Sequence, residues 1–354
     1  MAQNDFTLTN GRALSEIVEP LLLWYRRNAR DLPWRHTNDP YKIWVSEIML
    51  QQTRVNTVIS YYNRFLAELP TVEDLASAPE EKLLKLWEGL GYYSRVRNMQ
   101  KAAGQIAESG YFPNTMPEIL KLSGIGNYTA GAILSIAFDK PEPAVDGNVL
   151  RVITRITANS GNAATKSFKK QVAAALREIY PKTGCGNFTA SLMELGATVC
   201  VPNGRPLCES CPLYKLCRAR ALDKIANYPV LPPKRQKKTE ELTVFILKSE
   251  NDRVALNMRQ NTGLLKGMPQ LPNVPGKLTL EGATDWLYKN GFEGGTPVKS
   301  FHEKHIFTHI RWEMQCYEFN VAETPTEFIW ATAGELENRF SLPTAFKKLL
   351  EHGL

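Results

Sequence analysis

The spacing of the apolar residues changes once along this chain, and that change constrains the fold more than any other feature. Before residue 228 the apolar side chains recur with a helical period, as at Val55, Val58 and Tyr62. After residue 241 they alternate with period two in short segments rich in β-forming residues. We therefore predict a mainly α N-terminal domain over residues 1–227 and a smaller α+β domain over residues 242–354.

The segment between these two patterns, 228–241, reads YPVLPPKRQKKTEE and contains three prolines and a basic run. Such a composition is typical of an extended, exposed linker.

The apolar spacing also predicts individual helices and strands on either side of this linker. Helices are expected around 44–49, 83–90, 128–138, 147–157, 281–290 and 343–351, and strands at 242–247, 254–258, 298–301 and 311–319.

Composition and charge narrow the class of protein. With 43% hydrophobic residues over 354 positions, the chain can bury sizeable cores and is not disordered. Its apolar runs, such as Ala130 to Phe138, are too short to span a membrane, and no secretory signal is visible, so we expect a cytoplasmic protein without membrane association. The net charge of +7 is concentrated in residues 151–230, which hold 12 basic and 4 acidic side chains. This excess favours a polyanion as partner, although a bias towards solubility would produce it too.

Four of the six cysteines lie within 18 residues, in the pattern C-x7-C-x2-C-x5-C: Cys200, Cys208, Cys211 and Cys217. Clustering of this kind, in a chain without a secretory signal, indicates metal binding rather than disulfides. Four thiolates can hold either a structural zinc ion or a [4Fe–4S] cluster. Only one close C-x2-C pair is present, and the spacing favours the cluster over zinc.

A second motif, LSGIGNYTAG at 122–131, places Gly124 and Gly126 two residues apart just before a predicted helix. Backbone N–H groups in such a turn can face a phosphate, although many turns with two glycines are ordinary connections. Asp146 follows Gly126 by twenty residues within PAVDGNVLRV. From its sequence context alone, Asp146 is the N-cap of a helix.

Taken with the cysteines, these segments resemble the helix-hairpin-helix, the aspartate-bearing loop and the [4Fe–4S] loop of the endonuclease III superfamily. LPWR at 32–35, WVSEIMLQQT at 44–53, WEGLGYYSRVRN at 87–98 and MELGA at 193–197 are similar to segments of the MutY-type adenine DNA glycosylases. The resemblance covers roughly residues 20 to 350. It implies a helix-hairpin-helix glycosylase core with an iron–sulfur loop, followed by a Nudix-like domain. It also implies a monomeric enzyme that removes adenine opposite 8-oxoguanine or guanine in double-stranded DNA.

The resemblance assigns roles to individual residues. Glu47 matches the acid that protonates the departing adenine, and Asp146 the carboxylate that stabilises the cationic sugar. Tyr128 and Asn148 match polar residues beside them. Periodicity alone would make Glu47 a surface residue of an amphipathic helix. Bifunctional relatives have a lysine where this chain has Tyr128, so efficient strand cleavage through a Schiff base is not expected.

Further residues match those around the extruded adenine: Arg30, Leu32, Trp34, Arg35 and Glu194. At this matched position, Glu194 can accept a hydrogen bond from the exocyclic amine of the base. Residues matching those that enter the base stack or contact the opposite base are Gln52, Leu90 and Tyr92. For Leu32, Trp34 and Leu90, ordinary core packing is a competing explanation.

The second domain lacks the clustered glutamates of Nudix hydrolases, which argues against pyrophosphohydrolase activity. Its segment Phe307-Thr308-His309 resembles the Phe-Ser-His loop by which the family recognises 8-oxoguanine, and a simple strand turn is the alternative. Two other functions are alternatives to adenine removal. The chain could be a bifunctional pyrimidine glycosylase, or an iron–sulfur DNA-binding protein that has lost catalysis. If the source is prokaryotic, we expect the protein at the nucleoid.

Overall fold

The computed structural model describes residues 6–233, 236–260, 262–292, 294–322 and 325–351. Within these ranges the chain folds as two compact units. The first unit comprises 6–77 and 98–233, and the second comprises 78–97 together with the C-terminal part from residue 236.

The N-terminal two thirds of the chain is helical, as its periodicity predicts. Several loops and short 3₁₀ turns connect the helices, and Ala78–Arg97, with α5 and the start of α6, belongs to the second unit. The helices are α1 (Val18–Asn28), α2 (Pro40–Met49), α3 (Val55–Glu68), α4 (Val72–Ser77), α5 (Glu80–Leu86), α6 (Ser94–Ser109), α7 (Met116–Ile119), α8 (Asn127–Phe138), α9 (Gly147–Thr157), α10 (Lys166–Arg177), α11 (Cys185–Thr198) and α12 (Arg218–Ala221).

Helix α9 lies at the centre of the first unit, and all its residues from Val149 to Thr157 are buried. Asp146 caps its N-terminus by accepting a hydrogen bond from the Val149 backbone N–H at 2.7 Å. The helix ends at Ala158, which has a left-handed conformation. Its apolar side chains share one core with residues of α10 and α11, including Phe168 and Leu192. The cap and this core fix the position of Asp146.

The second unit is built on a mixed sheet whose strands run in the order β3-β2-β1-β6-β5, with β4 beside β1 and β7 beside β2. The β1–β6 pair is parallel, and the β5–β6 pair is antiparallel. The strands are β1 (Lys238–Lys248), β2 (Val254–Met258), β3 (Pro269–Gln270), β4 (Asn273–Pro275), β5 (Thr296–Ile306), β6 (Ile310–Asn320) and β7 (Ile329–Ala331), and the helices are α13 (Leu280–Lys289), α14 (Ala333–Asn338) and α15 (Thr344–Glu351).

Residues 242–247 of β1 are all buried and, apart from Thr243, apolar, because both faces of the sheet are covered there. Val244 and Ile246 pack with Phe346 of α15 on one face. Phe245, on the other face, stacks on Trp286 of α13 with a centroid distance of 3.9 Å. The predicted mainly α and α+β organisation is therefore confirmed.

Three boundaries differ from the sequence-based expectations. Strand β1 begins at Lys238, so the last four residues of the predicted linker 228–241 are part of the sheet. The helix expected to continue to Leu90 ends at Leu86, because Gly89 and Gly91 both adopt positive φ. The segment Ala78–Arg97 packs with the C-terminal unit, although it lies in the middle of the helical sequence.

Within the described residues, no helix has the length and apolar character that crossing a membrane requires.

Candidate active site

A pocket of about 530 Å³ in the first unit is lined by residues from α2, α8, α9 and α11 and from the segment before α2. It brings together residues that are far apart in the sequence. Nine of the predicted site residues line it: Arg30, Leu32, Trp34, Arg35, Glu47, Tyr128, Asp146, Asn148 and Glu194.

Glu47 is the buried acid of this pocket. It lies on α2, whose residues from Ile43 to Met49 are all buried, and only 4% of its surface is exposed. Desolvation raises the pKa of Glu47 to about 7, a hydrogen bond from the Tyr128 hydroxyl opposes that rise, and the negative charge of Asp146 adds to it. At neutral pH this carboxyl group therefore retains a proton in a large fraction of molecules.

Asp146 is the second carboxylate of the pocket, and its environment differs from that of Glu47. Burial raises its pKa, but the Val149 backbone N–H and the Asn148 side chain stabilise its charged form. Asn148 Nδ2 donates to one carboxylate oxygen at 2.7 Å, and Val149 N donates to the other at 2.7 Å. Two carboxyl groups held in different environments can divide the roles of acid and anion between them.

Arg151, which the sequence analysis did not identify, holds Asn148 in place. Its Nη2 donates to Asn148 Oδ1 and to the Gly196 carbonyl, both at 2.8 Å, and its Nε donates to the Cys200 carbonyl at 2.7 Å. A Cβ atom on Gly196 would lie 2.6 Å from that of Asn148, so only glycine permits this approach of α11 to α9. An arginine within the apolar run of α9 was the available signal for this role.

Glu194 is buried against two arginines. Its Oε1 accepts from the backbone N and the Nε of Arg30, at 3.1 and 2.7 Å, and its Oε2 accepts from Nη2 of Arg30 and Nη2 of Arg35. Burial opposes ionisation, yet these hydrogen bonds lower the pKa of Glu194 to about 2. Because four donors occupy the four lone pairs of the carboxylate, none is free for an adenine amine in this arrangement.

The four clustered cysteines line one small cavity beside α9, together with Arg155. Within the ranges described, no three His, Cys, Asp or Glu side chains form a group that could hold a metal ion. Burial raises the pKa of Cys211 to about 12 and that of Cys217 to about 11, so a cationic centre is needed to keep them as thiolates.

The second unit contains a separate cavity of about 490 Å³. Its walls come from the segment 89–97, from the turn around Leu264 and from the β5–β6 turn. Phe307, in that turn, packs edge-on against the buried Trp312, with a distance of 4.8 Å between the ring centres. Five predicted site residues line this cavity: Leu90, Tyr92, Phe307, Thr308 and His309.

The remaining predicted residues lie outside both cavities. Gln52 is exposed after α2 and has a φ of 62°. Gly124 has a φ of 77° and lies against Asn98, where a Cβ atom would come within 2.7 Å of the asparagine Cβ. Gly126 is the N-cap of α8, so the two glycines form the turn that was expected before this helix.

Comparison with known proteins finds a family match in the helical part of the chain and another in the C-terminal part. Residues 45–182 match the family described as HhH-GPD superfamily base excision DNA repair protein, and residues 243–352 match the NUDIX domain family. The adenine DNA glycosylase of Rattus norvegicus is 34% identical over 93% of this chain and 76% of its own length. This chain belongs to the adenine DNA glycosylase family. The adenine DNA glycosylase of Buchnera aphidicola subsp. Baizongia pistaciae is also 34% identical, over 82% of this chain and 81% of its own.

Solved structures of related glycosylases resemble the helical part of the chain. A thermostable thymine-DNA glycosylase superposes with a TM-score of 0.53 and 30% identity, covering 58% of this chain and 96% of that one. A trapped endonuclease III–DNA covalent intermediate gives a TM-score of 0.50 and 25% identity, covering 58% and 94%. As an adenine DNA glycosylase, the protein is a DNA-binding hydrolase of N-glycosyl bonds in base excision repair, and the predicted family is confirmed.

Proposed function

We propose that this glycosylase removes adenine mispaired with 8-oxoguanine or guanine, and that Glu47 is its general acid. The observation that carries the proposal is the joint position of Glu47 and Asp146 in one pocket, with a pKa of about 7 for Glu47. Adenine is a poor leaving group as an anion, so it must gain a proton as the N-glycosidic bond breaks. A buried carboxyl group that keeps its proton near neutral pH is suited to supply it.

Asp146 performs the complementary role in this proposal. Loss of adenine leaves positive charge on the sugar ring, and a carboxylate stabilises that charge or bonds transiently to the sugar carbon. The donors from Asn148 and Val149 stabilise the ionised form of Asp146 and so oppose the effect of its burial. Water then completes hydrolysis and leaves an abasic site in an intact strand.

We expect no efficient strand cleavage. Lyase activity of this class requires an amine that forms a Schiff base with the sugar. The position of the lysine of bifunctional relatives is occupied by Tyr128, and no lysine occurs among the described residues that line the pocket. The enzyme is therefore proposed to be monofunctional.

An adenine in a duplex must rotate out of the stack before it can enter this pocket. Arg30, Leu32, Trp34 and Arg35 offer it apolar surface and hydrogen-bond donors. We propose that Glu194 orients these two arginines, rather than accepting from the adenine amine; its hydrogen bonds from both of them support this role.

Recognition of the mispair is assigned to Gln52, Leu90 and Tyr92, and to Phe307, Thr308 and His309. The exposed Tyr92, with 45% of its surface accessible, is an aromatic side chain suited to enter a base stack. The cavity that Leu90, Tyr92 and the three β5–β6 residues share in the second unit is the proposed 8-oxoguanine site.

The cofactor is proposed to be a [4Fe–4S] cluster held by Cys200, Cys208, Cys211 and Cys217. When bound, such a cluster cross-links the loop and supplies the cationic centre that its thiolates need. Arg155 Nη1, 3.3 Å from the Cys200 sulfur, adds a further positive charge beside the ligands. We assign no step of base removal to the cluster.

Phosphate contacts are assigned to the turn of Gly124 and Gly126 at the N-terminus of α8, where backbone N–H groups and the helix dipole favour anions. The basic excess of residues 151–230 adds attraction to the duplex, so binding is expected to weaken steeply with salt.

The direct test uses a duplex with one adenine opposite 8-oxoguanine, incubated with the protein and then heated in alkali. We expect cleavage at the adenine only after alkali, with A·G cleaved as well and A·T left intact. Absence of cleavage at the mispaired adenine would overturn the proposal, and equal cleavage without alkali would show a lyase instead.

A further inference from the structure

The turn between α5 and α6 has an unusual backbone. Gly89, Gly91 and Tyr92 adopt φ values of 97°, 67° and 48°, all in the left-handed region. Tyr92 has a Cβ atom, and L-residues with side chains rarely adopt this conformation. Contacts from outside residues 89–92 must therefore hold the turn in its observed shape.

Arg95, the second residue of α6, binds three successive carbonyl groups of this turn. Its Nη2 donates to the carbonyls of Leu90 and Gly91, at 3.0 and 3.1 Å. Its backbone N–H donates to the carbonyl of Tyr92 at 2.9 Å. The planar guanidinium suits this task because one of its nitrogens can serve two acceptors in a fixed geometry.

Two aromatic rings flank the same guanidinium. Its central carbon lies 5.3 Å from the centre of the Trp87 ring and 5.7 Å from that of Tyr92. Trp87 is fully buried, and its Nε1 donates to the Gly91 carbonyl at 3.1 Å. Burial lowers the pKa of Arg95 to about 10, which leaves it cationic at neutral pH. Arg95 thus connects the buried Trp87 to the exposed Tyr92.

The base of the turn is anchored within the second unit. Ser341 donates to the carbonyl of Leu84 at 2.8 Å, and Lys347 binds Glu88 at 3.1 Å. Lys85 donates to the carbonyl of Leu336 at 3.2 Å. A turn with an anchored base and a strained tip presents Tyr92 in one fixed orientation.

We propose that Arg95 is a positioning residue for base extrusion: it holds the 89–92 turn so that Tyr92 can enter the base stack. This inference rests on the proposed function, because it takes Leu90 and Tyr92 as the residues that contact the mispair. It places Arg95 in the step that extrudes adenine and not in cleavage of the N-glycosidic bond.

The test compares two substrates under single-turnover conditions with saturating enzyme. One is adenine paired opposite 8-oxoguanine, which must be extruded; the other is an unpaired adenine in a single-base bulge, for which extrusion costs less. For Arg95→Lys we expect removal of the paired adenine to slow at least about tenfold and removal of the bulged adenine by less than about threefold. Trp87→Phe, which removes the donor to Gly91, should change the ratio of the two rates in the same direction.

Arg64→Lys is the matched control, since Arg64 also lies over an aromatic ring, that of Tyr61 at 4.8 Å, but in the first unit. Its ratio of rates should equal that of the wild type. Equal slowing of both substrates by Arg95→Lys, or no slowing of either, would overturn the inference while wild-type activity on the mispair still supports the proposed function. If Arg95→Lys fails to fold, the ratio of the rates on the two substrates is measured for Trp87→Phe instead, and a ratio equal to that of the wild type would overturn the inference. A wild-type protein inactive on the mispair would overturn both.

Discussion

The phenolic hydroxyl of Tyr128 donates a hydrogen bond to Oε2 of Glu47, which joins α8 to α2 inside the pocket. This contact stabilises the ionised form of a carboxyl group that burial otherwise keeps protonated. We therefore expect Tyr128 to adjust the pH range over which Glu47 acts as the proposed acid. It occupies the position where bifunctional relatives are expected to carry a lysine.

The rate of adenine removal should fall as the pH rises through about 7, because Glu47 must be protonated to act. Tyr128→Phe removes a contact that lowers the pKa of Glu47, so the alkaline limb of the profile should move to higher pH. Single-turnover rates from pH 5 to pH 9 on a saturated mispaired duplex would measure the alkaline limb for the wild type and for Tyr128→Phe. An alkaline limb at the same pH in both proteins would contradict the role given to Tyr128.

Protonation of Glu47 should also appear in protein stability. The folded-state pKa of about 7 lies above the ordinary value of 4.5, so the native state binds a proton that the unfolded chain releases. The stability that this bound proton adds to the native state is fully present below about pH 4.5 and is lost as the pH rises through about 7. Glu47→Gln, which cannot ionise, should therefore gain in Tm relative to the wild type between pH 5 and pH 8. A constant Tm difference across that range would show that Glu47 is ionised throughout.

Gly196→Ala should disturb the site through Asn148, the residue that donates to the Asp146 carboxylate. The added Cβ atom would lie 2.6 Å from the Asn148 Cβ and 3.0 Å from its Cα, so α9 and α11 must move apart. We expect a loss of about 1–3 kcal/mol in the free energy of unfolding, together with slower adenine removal.

Gly104→Ala, in α6, is the control for that variant. No atom lies within 4 Å of its added Cβ, so the helix should gain about 0.5–1 kcal/mol from the better helix former. Denaturant unfolding of both variants would compare the two effects. A Gly196→Ala protein as stable as Gly104→Ala would contradict the close approach described for α11.

Cys211→Ala should abolish the bound iron and weaken DNA binding more than it destabilises the helical core. The reason is that Cys211 is proposed as a cluster ligand, whereas Cys185 is buried on α11 with its sulfur donating to the Pro181 carbonyl. Cys185→Ala should therefore keep its iron. Iron analysis of the purified proteins, with binding to a mispaired duplex, would make the comparison. Iron retained by Cys211→Ala, or zinc found in the wild type, would contradict the cluster.

The sequence predicted the elements with strong local signals. Asp146 was recognisable as an N-cap because a polar Asp-Gly-Asn precedes an apolar run, and the structure confirms that cap. The cysteine spacing predicted a shared site, and the four thiols do line one cavity. Strands β1, β2, β5 and β6 were predicted from their β-forming residues, although β1 begins four residues before the end of the expected linker. The short strands β3, β4 and β7 were not predicted.

Features that depend on distant partners could not be predicted in this way. The partners of Arg151 lie in α9, α11 and the cysteine loop, and no local pattern connects them. Glu194 matched the motif of an adenine-binding residue, but only the fold brings Arg30 and Arg35 to its carboxylate. Likewise, Ala78–Arg97 was assigned to the helical domain by its place in the chain, whereas its contacts are with the second unit.

The most direct test of the central claim is to measure free adenine released from a duplex with one adenine opposite 8-oxoguanine, by the wild type and by Glu47→Gln. We expect stoichiometric release by the wild type in a single turnover at pH 7. Glu47→Gln, although folded and able to bind the duplex, should release adenine about 10²- to 10⁴-fold more slowly. Release by Glu47→Gln at the wild-type rate would contradict the assignment of Glu47 as the acid.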